Sequence, residues 1–220
     1  MPIRAFLFDF DGLILDTESA ALSAWQNVYR EHGHELPLER WATNVGSRDS
    51  FDPMAHLEEL VGTALEHDPI HERRRAHELT LVEAEELRPG IADYLAEAER
   101  RGLKRAIVSS SSQRWIHMHL ARLEQTVGWD AIVAADHDAS RAKPRPDLYL
   151  EALDLLGVAA AEAIAFEDSL NGIRAAQAAG IFCVAVPNAV TRTYALDRAD
   201  LFVESLAQLP PEDLLSRFES

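Results

Sequence analysis

The stretch Ile3-Arg4-Ala5-Phe6-Leu7-Phe8-Asp9-Phe10-Asp11-Gly12 decides how this chain is read. A short, mostly apolar run from Ile3 to Phe8 leads into two carboxylates spaced two apart, where an extended strand should end. A strand alternates its side chains, so on an extended backbone Asp9 and Asp11 point the same way. Two like charges side by side are unfavourable unless a cation, a proton or a dipole compensates them. The pattern therefore suggests a Mg²⁺-assisted nucleophile at the edge of a sheet.

Working outward, short apolar runs alternate with amphipathic stretches over most of the chain, the signature of an α/β fold with a mainly parallel sheet. Strands are expected near Ile3–Asp9, Lys104–Ser109, Ala131–Ala134, Ala163–Glu167, Ile181–Val186 and Leu201–Val203. Helical patterns end at glycines suited to left-handed caps: Ile91–Arg101 at Gly102, Asp147–Leu156 at Gly157, Ser169–Ala179 at Gly180. The segment from Asp16 to about Val82 breaks this rhythm and reads as helical throughout. In it, Leu22, Trp25, Val28 and Tyr29 share one helix face, and His56, Leu57, Leu60 and Val61 share another. An all-helical stretch between the first and second strands reads as an inserted cap. The expected division is an α/β core over 1–15 and 84–220 and a helical cap over 16–83, with hinges near Leu15-Asp16-Thr17 and Glu83–Leu87.

The 220 residues suffice for one sizeable core with a smaller inserted lobe. The formal charge of -16 argues against nucleic acid or an anionic membrane as partner. It does not exclude a small phosphate, because a metal ion and one or two cations invert the field locally. The single cysteine, Cys183, falls in an apolar run and has no second cysteine to pair with. No His/Cys spacing suits zinc. Met1-Pro2-Ile3-Arg4 lacks a signal-peptide core, and no apolar run approaches ~18 residues, so a cytoplasmic location is expected.

Ligands of an open parallel sheet bind beyond the carboxyl ends of its strands. Four groups are expected to meet there: Asp9 with Asp11, Ser109 opening the run Ser109–Ser112, Lys143 before Pro144-Arg145-Pro146-Asp147, and the pair Glu167-Asp168. Each alone is a common turn, cap or surface feature; their order and shared location carry the argument.

With those residues in view, the chain resembles the haloacid dehalogenase superfamily, in the subgroup with a small helical cap that includes β-phosphoglucomutases and sugar-phosphate phosphatases. The carrying segments are Asp9-Phe10-Asp11-Gly12-Leu13-Ile14-Leu15-Asp16-Thr17-Glu18, Val108-Ser109-Ser110-Ser111, Lys143-Pro144-Arg145-Pro146-Asp147 and Phe166-Glu167-Asp168-Ser169. The resemblance spans the core from end to end, and in the cap holds for type rather than sequence. It implies a Rossmann-like core and a Mg²⁺-dependent phosphatase of a small phosphorylated metabolite, a sugar or polyol phosphate. Asp9 would be the nucleophile that becomes an aspartyl phosphate, and Asp11 the acid and base. Ser109, Ser110 and Lys143 would hold the phosphoryl group. Asp9, the Asp11 carbonyl, Asp168 and Glu167 would serve the metal. A monomer or weak dimer is expected.

Dehalogenases of the family lack the second carboxylate, because halide leaves without a proton. Phosphonate hydrolases also depart from the Asp-x-Asp pattern. The alternative is a hexose-phosphate mutase, since Val45-Gly46-Ser47-Arg48-Asp49-Ser50 resembles the cap loop where mutases hold a distal phosphate, making Arg48 a substrate contact. Against it, Ala21 stands where those mutases carry a histidine, and Ser112 and Gln113 where they carry a lysine and an asparagine. A catalytically silent phosphate-binding protein is a third reading. Trp25, Trp41 and Phe51 are weighed as site-facing aromatics of the cap.

Overall fold

Strand β1, Ala5–Phe8, is buried on every residue, as a central parallel strand covered on both faces must be. The computed structural model describes residues 2–41, 51–193 and 198–219. Around β1 stand β2 (Lys104–Ser109), β3 (Ala131–Ala134), β4 (Ala163–Glu167), β5 (Phe182–Ala185) and β6 (Leu201–Phe202), all parallel, in the order β3-β2-β1-β4-β5-β6. The chain builds outward from β1 on one side, then crosses back and builds outward on the other. The carboxyl end of β1 is thus the switch point where crossovers diverge and a crevice opens.

The two sheet faces are chemically distinct. Phe6, Phe8, Ile107, Ile164 and Phe166 pack on α5 (Ile91–Arg101), α6 (Gln113–Arg122) and α9 (Pro211–Ser216). Small residues on the opposite face, Ala5, Ala106, Ala163, Ala165 and Ala185, let α7 (Asp147–Leu156) and α8 (Leu170–Ala178) approach closely. Gly102 and Gly157 cap α5 and α7 in the left-handed conformation. Cys183 is buried in β5, unpaired.

Between β1 and α5 the chain forms α1 (Thr17–Glu31), α2 (Leu38–Trp41), α3 (Pro53–Val61) and α4 (His67–Ala84), with no strand among the described residues. Asp16 caps α1 by accepting from the Ser19 N–H at 3.0 Å. These helices share an apolar cluster of Trp25, Val28, Tyr29, Trp41, Met54, Leu57 and Ile70. Trp25 and Trp41 are therefore core residues, and Phe51 packs against the same cluster. On α3 the buried pair is Met54 and Leu57, while Leu60, expected on that face, is exposed. The segments leading into α1 and out of α4 lie side by side: the Arg88 N–H donates to the Ile14 carbonyl at 3.0 Å. Arg122 of α6 donates to the carbonyls of Glu83 (3.2 Å) and Glu85 (2.7 Å).

The strand boundaries correct one expectation. β1 ends at Phe8, not Asp9, and the chain turns immediately, with Ile14 N–H bonded to Phe10 carbonyl at 3.0 Å and Gly12 N–H to Leu15 carbonyl at 2.7 Å. Beyond the strand the Asp9 and Asp11 carboxylates have separate hydrogen-bond partners.

Candidate active site

Asp9 follows β1 and stays in register through its N–H, which donates to Phe166 carbonyl at 3.0 Å. The same parallel pairing brings the end of β4 alongside, so Glu167 and Asp168 meet Asp9 without any loop having to reach. Carboxylate oxygens of Asp9, Glu167 and Asp168 lie within 4.8 Å of one another, and all three residues are buried.

Lys143 enters from the segment after β3. Its buried ammonium donates to Asp9 Oδ1 at 2.5 Å, Glu167 Oε1 at 2.6 Å and Val108 carbonyl at 2.7 Å, which uses all three protons. Burial alone would lower the Lys143 pKa, but Asp9 and Glu167 outweigh it and hold the ammonium above the usual lysine range. Burial pushes the Asp9 carboxyl well up; Glu167 and Asp11 add to the rise and Lys143 opposes it. Asp168 is raised for the same leading reason, with Asp9 and Glu167 contributing. One ammonium thus offsets only part of the charge of three buried carboxylates. Those hard oxygen donors and the deficit of positive charge fit a divalent cation of the Mg²⁺ type. Glu167 Oε2 has no hydrogen-bond partner among the described residues.

Several residues absent from the sequence reading hold this cluster. Tyr149 of α7 donates to Glu167 Oε1 at 2.5 Å, and Asn188, beyond β5, donates to Asp168 Oδ2 at 2.6 Å. Gly172 of α8 makes room for Glu167: a Cβ there would fall 1.8 Å from Oε2. Gly12, at φ +85°, likewise leaves space for Asp168, whose Oδ2 would lie 2.2 Å from an added Cβ. Arg88 ties the loops together through the carbonyls of Gly12 (2.5 Å) and Pro187 (2.6 Å). Asn188 carried a usable signal, being polar just past the end of a buried strand on the expected edge.

Asp11 sits in a separate nest. Its Oδ1 accepts from Thr17 Oγ1 at 3.0 Å and from Trp115 Nε1 at 2.8 Å; its Oδ2 accepts from Ser111 Oγ at 2.6 Å and Ser109 Oγ at 3.3 Å. Ser110 Oγ accepts from the Lys143 N–H at 3.2 Å, which links the two clusters. Glu18, in the first turn of α1, has its carboxyl raised to about 8 by burial and by the nearby Asp11 and Asp9. The expected residues Asp9, Asp11, Ser109, Ser110, Lys143, Glu167 and Asp168 are thus brought to one edge of the sheet. Arg48 and its loop lie outside the described residues.

An open parallel sheet with a buried acidic cluster at its switch point, and helices inserted after β1, defines a Rossmann-like α/β fold. More narrowly, the chain belongs to the haloacid dehalogenase-like hydrolases: the model of that family matches residues 3–180. YhcW of Bacillus subtilis, named as a candidate phosphatase, is 42% identical over 218 residues, covering 99% of each chain. Hexitol phosphatase A of Escherichia coli is 32% identical, covering 95% of this chain and 94% of the relative. Among solved structures, CbbY from Rhodobacter sphaeroides in complex with phosphate superposes with a TM-score of 0.73 at 30% identity, covering 94% and 96% of the two chains.

Proposed function

We propose that the protein is a Mg²⁺-dependent phosphatase of a small phosphorylated metabolite, a sugar or polyol phosphate, working through an aspartyl phosphate on Asp9. The observation that carries the reading is the buried triad Asp9, Glu167 and Asp168 with Lys143 bonded to Asp9 Oδ1. The phosphatase name of a relative that is 32% identical and matches nearly end to end supports it.

Asp9, Asp168 and the Asp11 carbonyl would hold Mg²⁺, with Glu167 within reach and at the same time fixing Lys143. The bound ion would neutralise charge between the carboxylates and a phosphate dianion. An Asp9 oxygen attacks phosphorus as the P–O bond to the leaving alcohol breaks, and Asp11 gives its proton to that alcohol oxygen. Asp11, now a carboxylate, takes a proton from water, whose oxygen attacks phosphorus and frees Asp9 with release of phosphate. Ser109 and Ser110 receive the phosphoryl oxygens, and Lys143 holds Asp9 in place throughout.

The helices over 16–83 act as the cap and the core comprises 1–15 and 84–220, with Arg48 as a cap contact to substrate. The chain works as a cytoplasmic monomer or weak dimer; no helix among the described residues is long and apolar enough to cross a membrane. Asp9→Asn and chelation by EDTA should each abolish hydrolysis of an aryl phosphate, and retained turnover in either case refutes the mechanism. A coupled assay on β-glucose 1-phosphate separates the alternatives: glucose 6-phosphate would mark a mutase, and free phosphate a phosphatase. A screen of phosphorylated metabolites ranked by kcat/KM then names the substrate.

A further inference from the structure

Four donors surround the Asp11 carboxylate, and they are not equivalent. Thr17, Ser109 and Ser111 offer hydroxyls, which rotate and can accept as readily as donate. Trp115 offers an indole N–H, 2.8 Å from Oδ1, which can only donate. Oδ1 is thereby held by a donor whose direction is fixed, while Oδ2 lies beside the Ser109 and Ser111 hydroxyls.

The indole also makes packing contacts of its own. His119, one turn further along α6 and buried, meets the Trp115 ring edge to face at 4.2 Å between centroids. Trp115 also packs against the apolar cluster of Leu15, Ala20 and Val82, which joins the turn after β1 to α1 and α4. Trp115 thus bonds to Asp11 and packs against that cluster at once.

We propose that Trp115 is a positioning residue for Asp11: its N–H pins Oδ1 so that Oδ2 faces the leaving oxygen of the substrate. This rests on Asp11 acting as the acid in the proposed reaction. A structural prop and a positioning residue differ in which substrates they affect. Phenyl phosphate and p-nitrophenyl phosphate have nearly the same shape, but p-nitrophenolate is a stable leaving group that needs little help from an acid. General acid catalysis contributes on the order of 10²–10⁴-fold, so misdirecting the acid costs a fraction of that where it is needed.

Trp115→Phe keeps the aromatic packing and removes the N–H. In the Mg²⁺-loaded enzyme it should lower kcat/KM for phenyl phosphate by about tenfold while leaving that for p-nitrophenyl phosphate within about twofold. Equal losses on both substrates, or none on either, overturn the proposal. Asp11→Asn keeps the two failures apart: if it leaves phenyl phosphate hydrolysis intact, the acid role of Asp11 falls. If it abolishes that hydrolysis while Trp115→Phe is unselective, only the proposal for Trp115 falls. A second measurement stands should Trp115→Phe fold poorly. The chain has four tryptophans, and Asp11→Ala should speed solvent exchange of one indole N–H signal in the NMR spectrum; four unchanged signals overturn the bond.

Discussion

Gly12→Ala tests whether the site depends on a close approach between the turn after β1 and Asp168. Gly12 sits at φ +85°, where a Cβ is strained by about 1–2 kcal/mol. An added Cβ would lie 2.2 Å from Asp168 Oδ2 and 2.6 Å from Asn188 Nδ2. Restoring ordinary contact requires Asp168 to move by about 1 Å, which breaks its 2.6 Å bond from Asn188. Losing a buried hydrogen bond to a carboxyl adds about 1–3 kcal/mol, so the total cost is about 2–5 kcal/mol. For a chain of this size that lowers Tm by about 4–20 °C. A ligand displaced by that distance should weaken Mg²⁺ binding about 10–100-fold and lower kcat about 10²-fold. Calorimetric melting, Mg²⁺ titration and kcat at saturating Mg²⁺ measure the three effects separately. A variant that melts, binds Mg²⁺ and turns over like the wild type would refute the packing argument.

Two further outcomes follow from the charges. Because Asp9, Glu167 and Asp168 are buried with Lys143 as the one ammonium bonded to them among the described residues, Mg²⁺ should stabilise the native state. At a hundredfold excess over Kd the gain is about 2.7 kcal/mol, a Tm rise of about 5–11 °C over an EDTA control; an unchanged Tm contradicts the cation site. Away from the site, hydrogen bonds from Arg100 and then Arg101 hold the Glu97 carboxyl down at about 2. The folded-state value lies below the unfolded one of about 4.3, so the stabilisation is present above that pH and is lost as pH falls toward 2. Glu97→Gln should therefore flatten the fall of Tm over that acid window, and an unaltered profile refutes the pairing.

The fold was legible wherever one local rule sufficed. Short apolar runs marked the six strands of the sheet, and Gly102 and Gly157 marked helix ends through their left-handed caps. The chemical groups of the site were legible because strand ends in a parallel sheet share one edge, which gathers Asp9, Ser109, Glu167 and Asp168 without knowledge of the loops. What stayed hidden depends on contacts far apart in sequence. Trp115 reads as one more apolar position on α6, and its bond to Asp11 spans 104 residues. Asn188 reaches Asp168 only because β4 and β5 are neighbours. Gly172 looks like a flaw in a helix until the Glu167 carboxylate is seen in the space a Cβ would fill. Trp25 and Trp41 went the other way, aromatic enough to suggest a binding face yet used to build the core of the inserted helices.

The account turns on a covalent bond between phosphorus and the Asp9 carboxylate. Rapid quench of the Mg²⁺-loaded enzyme during turnover of p-nitrophenyl phosphate, followed by borohydride reduction and peptide mass spectrometry, reads that bond directly. An acyl phosphate is reduced to the alcohol, so homoserine should appear at position 9 and be absent without substrate. Homoserine at another aspartate, or none anywhere while phosphate is released, would contradict it.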